Sequence, residues 1–216
     1  MKAALAELIG TALLLACVVG SGIMGERLAD GNVAIALLAN SLATGFGLVA
    51  LIVAFAPRSG AHFNPLVTLA FALRAGFPPR LVLPYLAAQF AGAILGMLAA
   101  HLMFDLPLLQ VSANARTGVG QWSSEVVATF GLVWVVLSCD QARPWSAPVA
   151  VGAYIAAAYW FTASTSFANP AVTLARGFTA TFSGIDPSGI PAFVLAQIAG
   201  AGVAAWLSES RKESSG

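Results

Sequence analysis

Charge is what this sequence has least of. Only 9% of its 216 residues are Asp, Glu, Lys or Arg, where a soluble domain carries about 25%. A chain so poor in charge cannot cover itself with a water-compatible surface. The net charge is +1 and no basic patch stands out, which excludes a nucleic-acid role because nothing would neutralise phosphates. Cysteine is scarce too. Cys17 and Cys139 lie within or at the end of apolar segments and read as small core residues, not a disulfide or metal pair. The two histidines sit in no His/Asp/Glu metal cluster, and neither has a nucleophile in a recognisable arrangement. A membrane enzyme is therefore poorly supported, and neither metal nor cofactor is implied.

What is present in excess is apolar. Hydrophobic residues make up 59% of the chain, in recurrent runs long enough to cross a bilayer, about 20 residues each. The class is a polytopic membrane protein with helical spans, whose first partner is the lipid bilayer. Six spans are expected at 3–24, 33–56, 81–104, 122–139, 146–164 and 190–208, separated by turn-bearing stretches at 25–32, 105–120 and 140–144. The first run is too long for a cleavable signal and continues into the fold.

Two segments fall outside the spans and resemble each other. Residues 59–70 read SGAHFNPLVTLA, and residues 166–175 read SFANPAVTLA. One Asn-Pro is a common turn signal; the same pattern once per half implies duplication. The repetition extends further. Glu7 and Thr11 in the first span match Glu125 and Thr129 in the fourth, and Gln89, Gly92 in the third match Gln197, Gly200 in the sixth. Repeat 1 covers about 1–104 and repeat 2 about 121–208 of a single domain, leaving 209–216 as a tail. Three spans per repeat is an odd number, so the halves must lie inverted in the membrane. Inverted repeats place their site near the midplane, where discontinuous helices meet.

After each Asn-Pro about ten apolar residues follow, about 15 Å of helix, half of an approximately 30 Å hydrocarbon core. Each copy is expected to be a half-spanning re-entrant helix. Pro65 and Pro170 suit a first turn, where the missing N–H has no intrahelical partner. Asn64 and Asn169 then fall at the N-cap with amides able to reach a lumen. Two positive helix ends facing each other repel cations and protons yet let a neutral molecule accept hydrogen bonds. Non-helical backbone at this depth is tolerable only where it lines a cavity or is buried in protein.

The Lys/Arg bias sets the orientation. With an internal N-terminus, Lys2, Arg58, Arg74, Arg80, Arg143, Arg211 and Lys212 are cytoplasmic, against Arg27, Arg116 and Arg176 outside. Both termini, and with them the tail, are expected in the cytoplasm.

SGAHFNPLVTLA, FANPAVTLA, the paired glutamates and the doubled Ala-Gln-x-x-Gly-Ala segment together resemble the major intrinsic protein family, the aquaporins and aquaglyceroporins, over essentially the whole chain. The resemblance implies an all-α protein with six transmembrane helices plus two re-entrant half-helices in a right-handed bundle. It also implies a homotetramer with one pore per subunit and passive flow of water or small neutral solutes. The pore asparagine motifs are then Asn64, Pro65, Leu66 and Asn169, Pro170, Ala171, with Leu66 standing where alanine is usual.

Glu7 and Glu125 are carboxylates within spans, a functional signal by default. No chain of titratable partners accompanies either, so a proton relay is poorly supported. A structural role, accepting hydrogen bonds from the non-helical backbone before each half-helix, is favoured by the residues and by the resemblance. Gln89 and Gln197 are expected to satisfy that backbone in the same way. For His62 two readings stand, a pH gate or a satisfied lumen or loop histidine. Gly10, Gly45, Gly92 and Gly200 suit close helix packing.

The sequence also departs from the family. Most members carry arginine directly after the second Asn-Pro-Ala, narrowing the outer constriction; here the position is Val172. The resemblance places the other constriction residues at Thr44, where water-selective members usually have phenylalanine, at Ser166, and at Tyr159 or Ala157 according to how the segment is counted. A threonine and a valine widen the constriction and remove its fixed charge. Solutes such as glycerol, urea or neutral metalloid hydroxides are then expected to pass with water. The valine resembles a bacterial subgroup associated with arsenic resistance, which implies arsenite or methylated arsenicals as substrates and the bacterial inner membrane as location. Arg176 lies four residues on, on the same helix face, either as a partial replacement for the charge or paired with a carboxylate or headgroup. Two rivals remain. A secondary transporter shares broken helices but needs lumen-facing acids for coupling, and a structural junction with a closed pore is left open.

Overall fold

The computed structural model describes residues 2–73, 76–139, 143 and 145–213. The described residues form helices α1 (Lys2–Leu28), α2 (Val33–Ser59), α3 (Pro65–Leu73), α4 (Pro79–Met103), α5 (Val119–Ser138), α6 (Ser146–Phe161), α7 (Pro170–Arg176) and α8 (Ile190–Glu213), with a single 3-10 turn at Pro187–Gly189. Six cross the bundle. Five are long and apolar enough to span a membrane, and α6, at 16 residues, supplies about 24 Å. α3 and α7, at 9 and 7 residues, are the re-entrant half-helices. Many exposed side chains along the long helices are apolar, among them Leu5, Ile9 and Leu13 along α1, Phe46 on α2 and Trp206 on α8, as a lipid-facing surface requires.

The helix ends depart from the expected spans for local reasons. α1 does not stop at Met24, because Gly25 serves a close approach: an added Cβ would sit 3.0 Å from the Ala36 carbonyl oxygen of α2. Asn32 then caps α2, its side chain accepting from Ala34 and Ile35 at 3.1 and 3.2 Å. α2 passes through Pro57 and ends at Gly60, whose φ of 84° and amide bond to the Ala56 carbonyl close the helix. α4 opens at Pro79, as proline at a first turn allows. α5 begins three residues before Trp122. α6 ends at Phe161, so residues 162–164 belong to the approach to the second Asn-Pro. α8 continues beyond 208, so residues 209–213 of the tail are helical. Arg74 of the charge tally lies outside the described residues.

Packing follows the duplication. α1 lies on α4 and α2, α5 lies on α8 and α6, and α2 crosses to α6. One close approach is built twice from glycine. A Cβ at Gly92 would run into the Leu8 carbonyl oxygen, and one at Gly200 into that of Val126. Leu8 follows Glu7 as Val126 follows Glu125, so the same contact holds both helix pairs together. Gly45 faces Gly152 and Ala156 across α2 and α6. Gly10 differs from the expected helix packing: its missing side chain makes room for the Phe63 ring. α3 and α7 each touch helices of the opposite repeat and meet each other. Their Asn-Pro ends therefore lie at the centre of the bundle.

Candidate pore

The approach to each half-helix has the same backbone. Ala61 and Phe63 have φ of 51° and 50°, and their counterparts Ser166 and Ala168 have 51° and 48°. Non-glycine residues in this left-handed region cost about 1 kcal/mol or more each, so something must hold them. The carboxylates do. His62 and Phe63 amides donate to Glu7 at 3.0 and 2.7 Å, with the Ser59 hydroxyl adding a third bond at 2.6 Å. Phe167 and Ala168 amides donate to Glu125 at 2.8 and 2.9 Å. Both glutamates are fully buried.

Gln89 and Gln197 act one step removed from the expectation. They touch the carboxylates, not the strained backbone. Gln89 Nε2 donates to Glu7 at 2.8 Å and to Thr68 at 2.9 Å, and Gln197 Nε2 donates to Glu125 at 2.6 Å and to Thr173 at 2.8 Å. The reason is stoichiometric. Adjacent amides already occupy the carboxylate's side toward the loop, so the glutamine completes the other side and ties it to the half-helix.

Asn64 and Asn169 perform two tasks each. Their side-chain oxygens accept from their own half-helix: Asn64 from Leu66 at 2.9 Å, Asn169 from Ala171 and Val172 at 3.0 and 3.3 Å. Their amide groups cross to the other repeat. Asn64 Nδ2 donates to the Ala168 carbonyl at 2.7 Å, and Asn169 Nδ2 to the Phe63 carbonyl at 2.8 Å. One N–H of each amide thereby fixes the meeting of the two copies, which leaves the second for a ligand. Pro65, Leu66, Pro170 and Ala171 form the first turns behind them and are buried.

A cavity of about 610 Å³ runs past both asparagines, from Phe77, Cys139 and Arg143 at one end to Ser166, Phe167 and Arg176 at the other. Its wall is largely apolar and again paired, with Leu14 and Val18 of α1 answering Leu132 and Val136 of α5. Near the Arg176 end it is lined by Thr44, Tyr159, Ser166 and Val172. Thr44 Oγ1 and the Tyr159 hydroxyl are 3.2 Å apart. The Ser166 hydroxyl is buried without a protein partner. Of the two countings, it is Tyr159 that reaches the cavity; Ala157 is on the exposed side of α6.

His62 lines the same cavity nearer its other end. It is 3.0 Å from Thr68 Oγ1 and is enclosed by the rings of Phe71, Phe77 and Tyr85 at 4.9, 4.9 and 5.4 Å. Arg176 is 2% exposed. It donates from Nε to the Ser183 carbonyl, and its guanidinium carbon lies 3.3 Å from the centre of the Phe167 ring. Neither side of the earlier alternative for Arg176 included an aromatic seat.

Sequence reasoning missed Arg116 and His101. Arg116, in the α4–α5 connection, stands 5.1 Å from the same Phe167 ring and donates to Gly184 and Ser164 carbonyls at 2.9 and 3.3 Å. Burial pulls its guanidinium below the ordinary value, while Glu125 and Tyr159 act in the opposite direction. His101, fully buried, joins the Leu108 carbonyl at 2.9 Å and Thr179 at 2.7 Å, clasping the α4–α5 connection, which carries Arg116, to the segment just after Arg176. No motif surrounds either residue, so only their through-space partners show what they do.

Helical spans around a lined cavity, with two capped half-helices meeting at its middle, define a membrane channel and not an enzyme. Residues 1–167 match the Major intrinsic protein family, and the chain belongs to that family. It is 56% identical over 196 residues, 91% of this chain and 84% of the relative, to the aquaglyceroporin AqpS of Rhizobium meliloti. It is 29% identical over 229 residues, 94% of this chain and 93% of the relative, to the probable aquaporin AqpM of Archaeoglobus fulgidus. The fold is also that of the crystallised aquaglyceroporin from Plasmodium falciparum, with a TM-score of 0.71 at 20% identity over 95% of this chain and 93% of that one. The protein is thus an integral membrane channel for small neutral solutes.

Proposed function

We propose that the channel passes neutral solutes larger than water, through a constriction formed by Thr44, Tyr159, Ser166 and Val172. Glycerol, urea and neutral metalloid hydroxides, such as arsenite or methylated arsenicals, are its candidate permeants alongside water. Val172 carries the reading. It lines the cavity, 6% exposed, three residues past Asn169, and offers a permeant neither a donor nor a charge. The polar groups beside it are hydroxyls, of which Ser166 has no protein partner. A wall apolar on one side and hydroxyl-bearing on the other suits a molecule with both a carbon skeleton and hydroxyl groups. The kinship with a relative named aquaglyceroporin supports the same choice.

The asparagines and the opposed half-helix ends serve in this proposal as the ion barrier, with Glu7, Glu125, Gln89, Gln197 and His62 supporting the loops. The Arg27, Arg116 and Arg176 end faces out and both termini lie in the cytoplasm, as the Lys/Arg bias favours. A homotetramer in a bacterial inner membrane is part of the same proposal, supported by family kinship.

Stopped-flow shrinkage of proteoliposomes with glycerol, urea and sucrose as osmolytes tests the reading. Glycerol re-entry above the lipid background is expected; rapid water flow with no glycerol entry would make the channel water-selective. Val172→Arg is expected to cut glycerol flux about tenfold or more while sparing water, since it adds bulk and a charge beside Arg176, a like-charge pair one turn apart. Unchanged glycerol flux in that variant would remove Val172 from the constriction.

A further inference from the structure

We infer that Arg176 is the specificity-determining charge of this pore, a guanidinium fixed one helical turn beyond Val172 that keeps cations out. The inference rests on the cavity being the solute path. It concerns a residue outside the four-membered constriction and outside the asparagine pair.

Three observations bear on it. First, Arg176 lines the cavity at the Ser166 end, so its charge is presented to whatever enters there. Second, it is held still. Nε is committed to the Ser183 carbonyl, and the guanidinium carbon lies over the Phe167 ring, 3.3 Å from its centre. Phe167 is itself backed by Phe193 at 5.2 Å and anchored through its amide to Glu125 at 2.8 Å. Third, no carboxylate neutralises its charge: among the described residues none forms an ion pair with it, and its two terminal nitrogens have no hydrogen-bond partner.

An arginine kept for structure alone would use its five donors on protein. Arg116 nearby is closer to that case, with Nε and one terminal nitrogen bonded to carbonyls. A buried guanidinium with free donors is costly unless the cavity beside it supplies water or a polar solute. Such a fixed charge in a narrow, low-dielectric passage repels a cation far more strongly than it would in bulk water. Each half-helix N-terminus carries only about half a charge, so a full guanidinium charge one turn further out adds to the barrier that the two opposed ends set up at the asparagines. Val172 gives the chain a wide constriction, and Arg176 returns the charge without the bulk.

The test uses the full chain in proteoliposomes, reading glycerol flux by light scattering and monovalent cation leak by a potassium-sensitive dye. Arg176→Gln is expected to keep glycerol flux within about twofold and raise the potassium leak about tenfold, and Arg176→Lys to restore exclusion. An Arg176→Gln channel that conducts glycerol and still excludes potassium like the wild type would overturn the assignment. Should Arg176→Gln fail to reconstitute, Phe167→Leu decides: it keeps the charge but removes its seat, so a leak between wild type and tenfold is expected, and full exclusion counts against the inference. A wild type that carries water but no glycerol sinks the wide-pore reading alone, because the leak comparison is read on the water path.

Discussion

At the residue scale the two glutamates carry the pore, though neither belongs to its wall. Each converts a stretch of left-handed, non-helical backbone into a fixed shape by accepting two consecutive amide N–H groups. Glutamine in their place keeps one acceptor oxygen but turns an NH2 group toward a backbone donor. An unsatisfied buried donor costs about 1–3 kcal/mol. Glu7→Gln is expected to lose more stability than Glu125→Gln, because Glu7 also accepts from Ser59 at 2.6 Å. Thermal unfolding in detergent measures both, and a larger loss for Glu125→Gln would mean that the Ser59 bond contributes nothing. The glutamates were legible in the sequence because an acid within an apolar run has few uses and these two recur at one relative position. Arg176 was legible only in part. Its spacing from Val172 puts it on the right helix face, but its aromatic seat is set by the return of the loop from Glu125, a contact no local pattern encodes.

At the level of elements, the spans of both halves were legible in the sequence, while several of their ends were not. Spans and half-helices follow from apolar length and from the Asn-Pro signals, whereas several helix ends do not. Gly25 and Pro57 punctuate a sequence, yet in the fold one is a packing contact and the other is absorbed within α2. Tertiary contact overrides local preference at those positions. One glycine interface is marked twice, at Gly92 against α1 and at Gly200 against α5. The atoms a new Cβ would meet are backbone oxygens, which cannot swing aside as a side chain would. Gly92→Ala and Gly200→Ala are therefore each expected to cost about 1–3 kcal/mol, while Gly120→Ala, with nothing within 4 Å, serves as the control. Equal unfolding temperatures for all three variants would show that the helix pairs can separate without loss.

For the whole molecule, the duplication means that the centre of the pore is made by exchange. Asn64 holds the Ala168 carbonyl and Asn169 holds the Phe63 carbonyl, so each repeat is closed by the other. The carbonyl that each amide grips belongs to the residue held by the opposite repeat's glutamate. A carboxylate at either asparagine would set an acceptor against that carbonyl and place a negative charge where two positive helix ends converge. Asn64→Asp and Asn169→Asp are both expected to raise cation conductance in planar bilayers. The near-identical bond lengths of 2.7 and 2.8 Å argue that the two effects should be of comparable size at the crossing itself. Departure from equality has one built-in source, since Arg176 stands at one end of the cavity only. If its charge adds to the barrier, neutralising it as Arg176→Gln should further raise the leak of Asn64→Asp and Asn169→Asp alike. Equal leaks with and without Arg176 would instead place the whole barrier at the asparagines, and the symmetry of the repeats would then govern ion exclusion by itself.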